Sequence, residues 1–142
     1  MVVADIPGLI AGAAQGAGLG HDFLRHVERT AVLVHVLDVA PLDGSDPAVN
    51  YQAVRQELLE YSVELAEKPE VMVFNKIDLV PQEERSDAIK KLIAKLRLPR
   101  GENPIITSGA TGEGVEEMLE ACWAARGKKK EAAGWAGTVT QE

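Results

Sequence analysis

The sequence has a single cysteine, Cys122, and few aromatic residues, at 4% of its 142 residues. One cysteine excludes an intramolecular disulfide, and with it the class of small secreted proteins held together by disulfides. No apolar run approaches the roughly 18–20 residues that a membrane-spanning helix needs. The first residues also lack the basic start and apolar stretch of a signal peptide. These absences predict a cytoplasmic protein with no membrane partner.

Basic charge is also scarce, with 15 Lys and Arg against 22 Asp and Glu and a net charge of −7. An acidic chain has no general field that attracts nucleic-acid phosphates, so DNA is not an expected partner. Any anion that the chain binds must instead be held by local donors. Apolar residues at 46% and charged residues at 26% are typical of a soluble globular domain.

Four apolar runs alternate with segments of helical periodicity. Continuous apolar runs suit strands that are covered on both faces, which is typical of a parallel sheet. The predicted strands are 2–4, 32–37, 71–74 and 104–107, and the predicted helices lie at 23–27, 51–65, 89–96 and 115–122. This alternation predicts an α/β fold with a mostly parallel sheet and helices on both faces.

Ligands of open α/β sheets bind at the carboxyl ends of the strands, so the residues that follow each run are informative. The segment Asp5-Ile6-Pro7-Gly8 follows the first run. A carboxylate at Asp5 can order the water shell of a metal ion, and Gly8 lets a backbone N–H come close to a phosphate. The alternative is an ordinary turn with a helix-capping aspartate.

The segment Asn75-Lys76-Ile77-Asp78 follows the third run. Guanine presents a ring N–H and an amino group side by side, and the carboxylate of Asp78 can accept from both donors. Adenine lacks that pair of donors and would leave the carboxylate unpaired, which strengthens its rejection. Asn75 can bond the base and tie neighbouring loops together, and the stem of Lys76 can lie over the flat ring. The alternative is a turn with a solvated lysine and aspartate.

The segment Ser108-Gly109-Ala110 follows the last run. Its backbone N–H groups can meet the carbonyl of a purine base. Ser-Gly pairs mark many ordinary turns, so the signal depends on its position one strand–helix unit after Asn75.

The order of these three segments resembles the last three nucleotide motifs of the Ras-like GTPases. A longer stretch is more specific and closely resembles the Obg type of ribosome-assembly GTPase. It comprises Asp5-Ile6-Pro7-Gly8-Leu9-Ile10 and Gly16-Ala17-Gly18-Leu19-Gly20-His21-Asp22-Phe23-Leu24-Arg25-His26-Val27-Glu28-Arg29-Thr30. The resemblance covers about residues 1–126. It implies a cytosolic GTPase that acts on the large ribosomal subunit and responds to GTP, GDP and the stringent-response alarmone.

The resemblance also assigns roles to single residues. It places Asp5 on the water shell of Mg²⁺ and Gly8 on the γ-phosphate, within a switch that extends to Thr30. Leu9 stands where many Ras-like enzymes carry a glutamine that orients the attacking water, so this subgroup must position water in another way. Many family members have alanine where Gly109 stands, and a backbone contact survives that difference.

The sequence contains no Gly-x-x-x-x-Gly-Lys-Ser/Thr segment, the P-loop that cradles nucleotide phosphates. We therefore interpret residues 1–126 as the C-terminal portion of a Ras-like GTPase domain that lacks the P-loop strand. A flexible tail is predicted over 127–142. The missing motif argues against hydrolysis by this chain alone. The alternative function is a non-catalytic fragment that binds guanine nucleotide weakly or serves only as an interaction surface.

A dinucleotide-dependent oxidoreductase is disfavoured. The glycine-rich stretch Gly16-Ala17-Gly18-Leu19-Gly20 misses the Gly-x-Gly-x-x-Gly spacing of dinucleotide-binding folds by one residue.

Overall fold

The sheet of this protein has three parallel strands, as seen in a computed structural model that describes residues 3, 5, 29–98 and 101–127. The strands are β1 (Leu33–Asp38), β2 (Glu70–Asn75) and β3 (Ile105–Ile106), in the spatial order β1-β2-β3. Both pairings are parallel, which confirms the predicted α/β class. Each predicted run from residue 32 onward overlaps one of these strands.

In the part of the chain that the structure describes, four α-helices connect and cover the strands: α1 (Pro47–Tyr61), α2 (Val63–Ala66), α3 (Arg85–Leu96) and α4 (Val115–Ala125). The carboxylate of Asp46 accepts from the Ala48 N–H at 2.9 Å and so caps α1, whose first residue is a proline. Proline suits this position because the first N–H of a helix has no partner within the helix. Two short 3-10 helices, Ile77–Leu79 and Gln82–Glu84, lie between β2 and α3.

Helices cover both faces of the sheet, as predicted. Met72 and Phe74 of β2 pack on one face with residues of α1 and α3. Val71 and Val73 point to the opposite face, where they pack with Cys122 of α4. Alternate side chains of a strand point to opposite faces, so a continuous apolar run fills both layers. This burial places β2 at the centre of the described structure.

The apolar stripe predicted as one helix over 51–65 is divided at Ser62. The backbone of Ser62 is extended (φ −165°, ψ 120°), and its hydroxyl accepts from the Leu65 N–H at 3.2 Å. Serine thereby caps a new short helix. The stripe still packs inward, because Tyr51, Leu58 and Leu65 are all buried.

Several predictions concern residues outside the described ranges. The predicted helix at 23–27 lies there, as does the predicted tail apart from Gly127. Of the predicted strand at 2–4 only Val3 is described; it belongs to no strand and is exposed. The domain boundary at residue 126 therefore stays a prediction. Within the described ranges, no helix is both long enough and apolar enough to cross a membrane.

Candidate functional site

The carboxyl ends of the three strands meet along one edge of the sheet. Asp38 ends β1 and is the register partner of Asn75, which ends β2. Phe74 pairs with Ile106 at the end of β3, and Thr107 and Ser108 follow directly. The parallel register thus brings the segments after residues 75 and 106 to one rim, as the sequence predicted for a ligand site.

Asn75 links these two segments. Its side-chain oxygen accepts from the Thr107 hydroxyl at 3.0 Å and from the Gly109 N–H at 3.1 Å. The Ile77 N–H donates to the Thr107 carbonyl at 3.1 Å, so backbone bonds join the same loops. With its oxygen engaged inside the protein, Asn75 retains amide N–H donors for a ligand.

Asp78 lies in the 3-10 helix that follows Lys76, and its side chain is exposed while the adjacent Ile77 is 1% exposed. The hydroxyl of the fully buried Ser108 donates to Asp78 Oδ1 at 2.8 Å. The same hydroxyl oxygen accepts from the Thr111 N–H at 3.1 Å. A carboxylate has about four acceptor sites, so Asp78 is oriented by Ser108 and keeps capacity to accept from donors outside the protein.

Lys76 adopts the left-handed backbone conformation (φ 65°), which is uncommon for a residue with a side chain. Its ammonium donates to Asp38 Oδ2 at 2.8 Å. This hydrogen bond and the charge of Asp38 raise the pKa of the Lys76 ammonium above its ordinary value of 10.5. The two strand ends are therefore joined by a side-chain contact as well as by the sheet.

The loop after β3 depends on glycine at one position in particular. Gly114 precedes α4 with φ 73°, and a Cβ there would lie 1.9 Å from the Ile106 carbonyl oxygen. The Ser108 N–H donates to the Glu113 carbonyl at 2.9 Å, and the Gly112 N–H donates to the Ser108 carbonyl at 2.8 Å. The close return of the loop onto β3 holds Ser108 beside Asp78.

The structure brings together Asn75, Asp78, Ser108 and Gly109 of the predicted site residues, with Lys76 beside them. Ala110 lies in the exposed turn that follows. Asp5 is exposed and belongs to no described strand, and Gly8 and Leu9 lie outside the described residues. Among the described residues, no group of three or more histidine, cysteine, aspartate or glutamate side chains is arranged to hold a metal ion.

Sequence reasoning assigned no role to Asp38, which lies at this rim. The available signal was its position, because Asp38 ends an apolar run in the same way that Asn75 does. The pairing with Lys76 joins residues 38 positions apart and depends on the strand register.

Comparisons with known proteins identify the family of this chain. A family model described as "50S ribosome-binding GTPase" matches residues 1–76. The chain is 49% identical over 118 residues to a GTPase Obg of Thermosipho africanus. The aligned region covers 83% of this chain and 26% of that protein. It is 45% identical over 124 residues to a GTPase Obg of Desulfatibacillum aliphaticivorans. This match covers 87% of this chain and 35% of that protein.

A GTPase Obg of Symbiobacterium thermophilum is 48% identical over 122 residues, with 86% of this chain and 28% of that protein covered. The chain thus spans about a quarter to a third of the length of these relatives. The match of the family model over more than half of the chain, together with these relatives, shows that the chain belongs to the 50S ribosome-binding GTPase family and is of the Obg type.

Proposed function

We propose that this chain binds the guanine base of a nucleotide at the rim formed by residues 75–78 and 108–110. The observation that carries the proposal is the contact of Ser108 Oγ with Asp78 Oδ1 at 2.8 Å. A carboxylate held in this way at an exposed rim accepts from the ring N–H and the amino group of guanine. The buried hydroxyl orients it before the base arrives, which reduces the entropy lost on binding.

Asn75 and the Gly109–Ala110 turn complete the recognition. Asn75 contributes amide donors, and the exposed turn offers the backbone N–H of Ala110 to the carbonyl of the base, since the Gly109 N–H donates to Asn75 Oδ1. The Asp78 carboxylate then accepts from the ring N–H and the amino group of guanine, and the protein donors face its carbonyl oxygen. Adenine presents the opposite pattern and leaves Asp78 unpaired, at a cost of about 1–3 kcal/mol for the lost hydrogen bonds.

For the whole protein we propose GTP hydrolysis with Mg²⁺. Mg²⁺ is held in such sites by one or two carboxylates, phosphates and water, so a single exposed carboxylate at Asp5 fits its preference for oxygen. The ion supplies positive charge that offsets the charge of the phosphates. Gly8 would donate its backbone N–H to the terminal phosphate. Leu9 cannot bond water, so the attacking water must be oriented by another group.

The partners that we propose come from the Obg resemblance and from the names of the relatives. They are GTP and GDP, the alarmone as a further guanine nucleotide, and the large ribosomal subunit, in whose assembly the protein would act. Cytoplasmic location belongs to the same proposal. The alarmone fits because it has the same base, which the rim at Asp78 would recognise in the same way.

A second candidate is non-catalytic binding of guanine nucleotide by this chain on its own, or service as an interaction surface alone. The observation that favours it is a property of the sequence: no Gly-x-x-x-x-Gly-Lys-Ser/Thr segment is present to hold the phosphates. Weak binding through the base would distinguish this function from tight binding of the triphosphate.

The test is a titration of the ¹⁵N-labelled chain with GMP, AMP and XMP, followed by amide chemical shifts. We expect GMP to shift the amides of residues 75–78 and 107–110 and to bind more tightly than AMP. In Asp78→Asn the side-chain N–H₂ donates to the second carbonyl of xanthine, so the preference should change from GMP to XMP.

The change of preference separates recognition from folding, because a variant that merely unfolds binds neither nucleotide. Equal shifts by GMP and AMP in the wild-type chain would overturn the proposed function. Binding of GTP that is orders of magnitude tighter than binding of GMP would instead reveal phosphate donors and exclude the second candidate.

A further inference from the structure

Asp38 and Lys76 form a side-chain bridge between the ends of β1 and β2. The ammonium lies 2.8 Å from Asp38 Oδ2, and the two side chains are 41% and 38% exposed, with Lys76 the more exposed. Both therefore lie at the surface of the rim and not in the core. An ion pair in this position adds little to folding stability, since solvent screens it and two side chains must be ordered to form it. Folding stability alone therefore does not explain why Asp38 and Lys76 are held in this geometry.

The backbone of Lys76 sets the direction of its side chain. Residue 76 has φ 65° and lies between the last residue of β2 and the 3-10 helix that carries Asp78. Unusual backbone conformations of this kind cost free energy and are concentrated at ligand sites. The strand register then places Asp38 directly across from Asn75, one residue before Lys76.

A lysine stem is flexible, with four rotatable bonds and about 2 kcal/mol of rotamer entropy. If the ammonium is free, ordering the stem against a flat base consumes part of the binding free energy. A carboxylate that holds the ammonium 2.8 Å away fixes both ends of the stem before the base arrives. The methylene groups then form a preordered apolar surface beside Asp78.

We propose that Asp38 is a positioning residue that holds the Lys76 stem in place to receive the guanine base. The inference rests on the proposed guanine site and adds to it a residue from a different strand. Asp38 acts through Lys76 and need not touch the nucleotide itself. Its carboxylate also balances the lysine charge, so the stem contributes mainly contact area at the base.

The raised pKa of the Lys76 ammonium agrees with this role. The hydrogen bond to Asp38 is its largest cause, followed by the charge of Asp38, and Asp78 adds a smaller contribution of the same sign. Desolvation opposes these effects. The direction of this shift agrees with an ammonium that Asp38 holds in the folded protein.

The experiment is a double-mutant cycle on GMP affinity in the full chain, with Asp38→Ala, Lys76→Met and the double variant. Methionine keeps an apolar stem without the ammonium. We expect Asp38→Ala alone to weaken GMP binding about two- to fivefold, the range of a single exposed ion pair. In the Lys76→Met background the same change should have no further effect.

Two further variants complete the design. Asp38→Glu keeps a carboxylate within reach of Lys76 and should recover most of the affinity. Asp87→Ala removes the same charge from the exposed first turn of α3, so it measures the general effect of net charge on binding of an anionic nucleotide. Circular dichroism confirms that each variant is folded before its affinity is measured.

The outcomes separate the two proposals. If Asp38→Ala weakens binding equally with and without the Lys76 ammonium, Asp38 does not act through Lys76 and the inference is wrong. It is also wrong if Asp38→Ala leaves the affinity unchanged while Asp78→Asn alters the base preference as expected. If the wild-type chain fails to distinguish GMP from AMP, the guanine site itself is overturned, and the role of Asp38 with it.

Discussion

The charged residues at the two ends of the sheet differ in their exposure to solvent. At the starting end, Arg55 of α1 is 2% exposed and pairs with Glu70 of β2, and its guanidinium also donates to the Ala66 carbonyl at 2.8 Å. At the carboxyl end, Lys76 and Asp38 are about 40% exposed. One end holds its charges inside the protein, and the other keeps them at the surface.

This difference follows from the cost of removing charge from water. Burial lowers the pKa of the Arg55 guanidinium, and the charge of Glu70 opposes that shift. Burial likewise raises the pKa of the neighbouring Tyr51 hydroxyl. Groups in such surroundings are satisfied by one another and are not available to a ligand. We infer that the buried pair serves the fold and the exposed rim serves binding.

The largest expected effect comes from breaking the buried pair. Glu70→Ala removes the carboxylate that pairs with the buried guanidinium of Arg55, which should lower the free energy of unfolding by about 3–5 kcal/mol. Urea denaturation followed by circular dichroism measures the loss. The exposed Glu67→Ala variant serves as control and should stay within about 0.5 kcal/mol of wild type. A Glu70→Ala protein as stable as the control would show that the pair contributes nothing.

The next largest effect is expected in the loop between β3 and α4, which holds Ser108 at the rim. Gly114→Ala combines a left-handed backbone with a Cβ 1.9 Å from the Ile106 carbonyl oxygen, so it should destabilise the protein by about 2 kcal/mol or more. Gly112→Ala has similar strain (φ 86°) with nothing within 4 Å of the added carbon. Its cost should be about 1 kcal/mol. Equal costs in urea denaturation would exclude the backbone clash as the cause.

Ser108→Ala distinguishes a binding role from a folding role at the rim. It removes the donor to Asp78 and the acceptor for the Thr111 N–H, at a cost of about 1 kcal/mol in stability. Affinity for GMP should fall as well, because the Asp78 carboxylate is no longer oriented. Calorimetric titration measures this fall. Unchanged affinity would indicate that Asp78 needs no orientation by Ser108.

Gly109→Ala should be tolerated. The backbone there is not left-handed, and an added Cβ would lie 3.9 Å from Asn75 Oδ1, an ordinary contact distance. Alanine restricts the unfolded chain, so we expect a gain of about 0.4–1 kcal/mol in stability with GMP binding retained. Thermal denaturation in parallel with Gly114→Ala makes the comparison. A loss as large as that of Gly114→Ala would contradict the described geometry of residues 108–110.

The smallest effect concerns Asp43, an exposed group in the loop between β1 and α1. The Ser45 hydroxyl donates to its carboxylate at 2.6 Å, followed in importance by the Ser45 N–H, and both lower the pKa of Asp43 below 3.8. Its contribution to stability is therefore present above pH 4 and is lost as the pH falls through the lowered value. A ¹³C titration of the Asp43 carboxyl should show this pKa move upward in Ser45→Ala. An unchanged pKa would exclude the hydroxyl as its main cause.

The sequence predicted β1, β2 and α3 well because their signals are local. A continuous apolar run suits a strand covered on both faces, and α3 ends before Pro99 as its periodicity indicated. The break at Ser62 was not predicted, because apolar spacing continues across it. Only the extended backbone and the hydroxyl contact with the Leu65 N–H reveal a new helix start.

The sequence predicted some residues of the rim, but it did not predict Asp38 or the individual hydrogen bonds. Asn75, Asp78 and Ser108 were identified from the residues that follow the apolar runs. Their hydrogen bonds join positions that are 30 and 32 residues apart, and no sequence pattern states which atoms meet. The buried pair of Arg55 and Glu70 was missed for the same reason. The sequence around an arginine in a helix does not show whether its side chain is exposed to water or buried with a partner on a neighbouring strand.

The sequence by itself determined the strands from residue 32 onward, the order of the polar segments that follow them and the family to which the chain belongs. These depend on residue type and spacing, which are properties of neighbours along the chain. Only the tertiary structure decided that Asp38 faces Lys76, that Ser108 holds Asp78, and that Arg55 is removed from water. Those contacts depend on parallel register and packing, because each of them joins atoms that the chain brings together only when the sheet has formed.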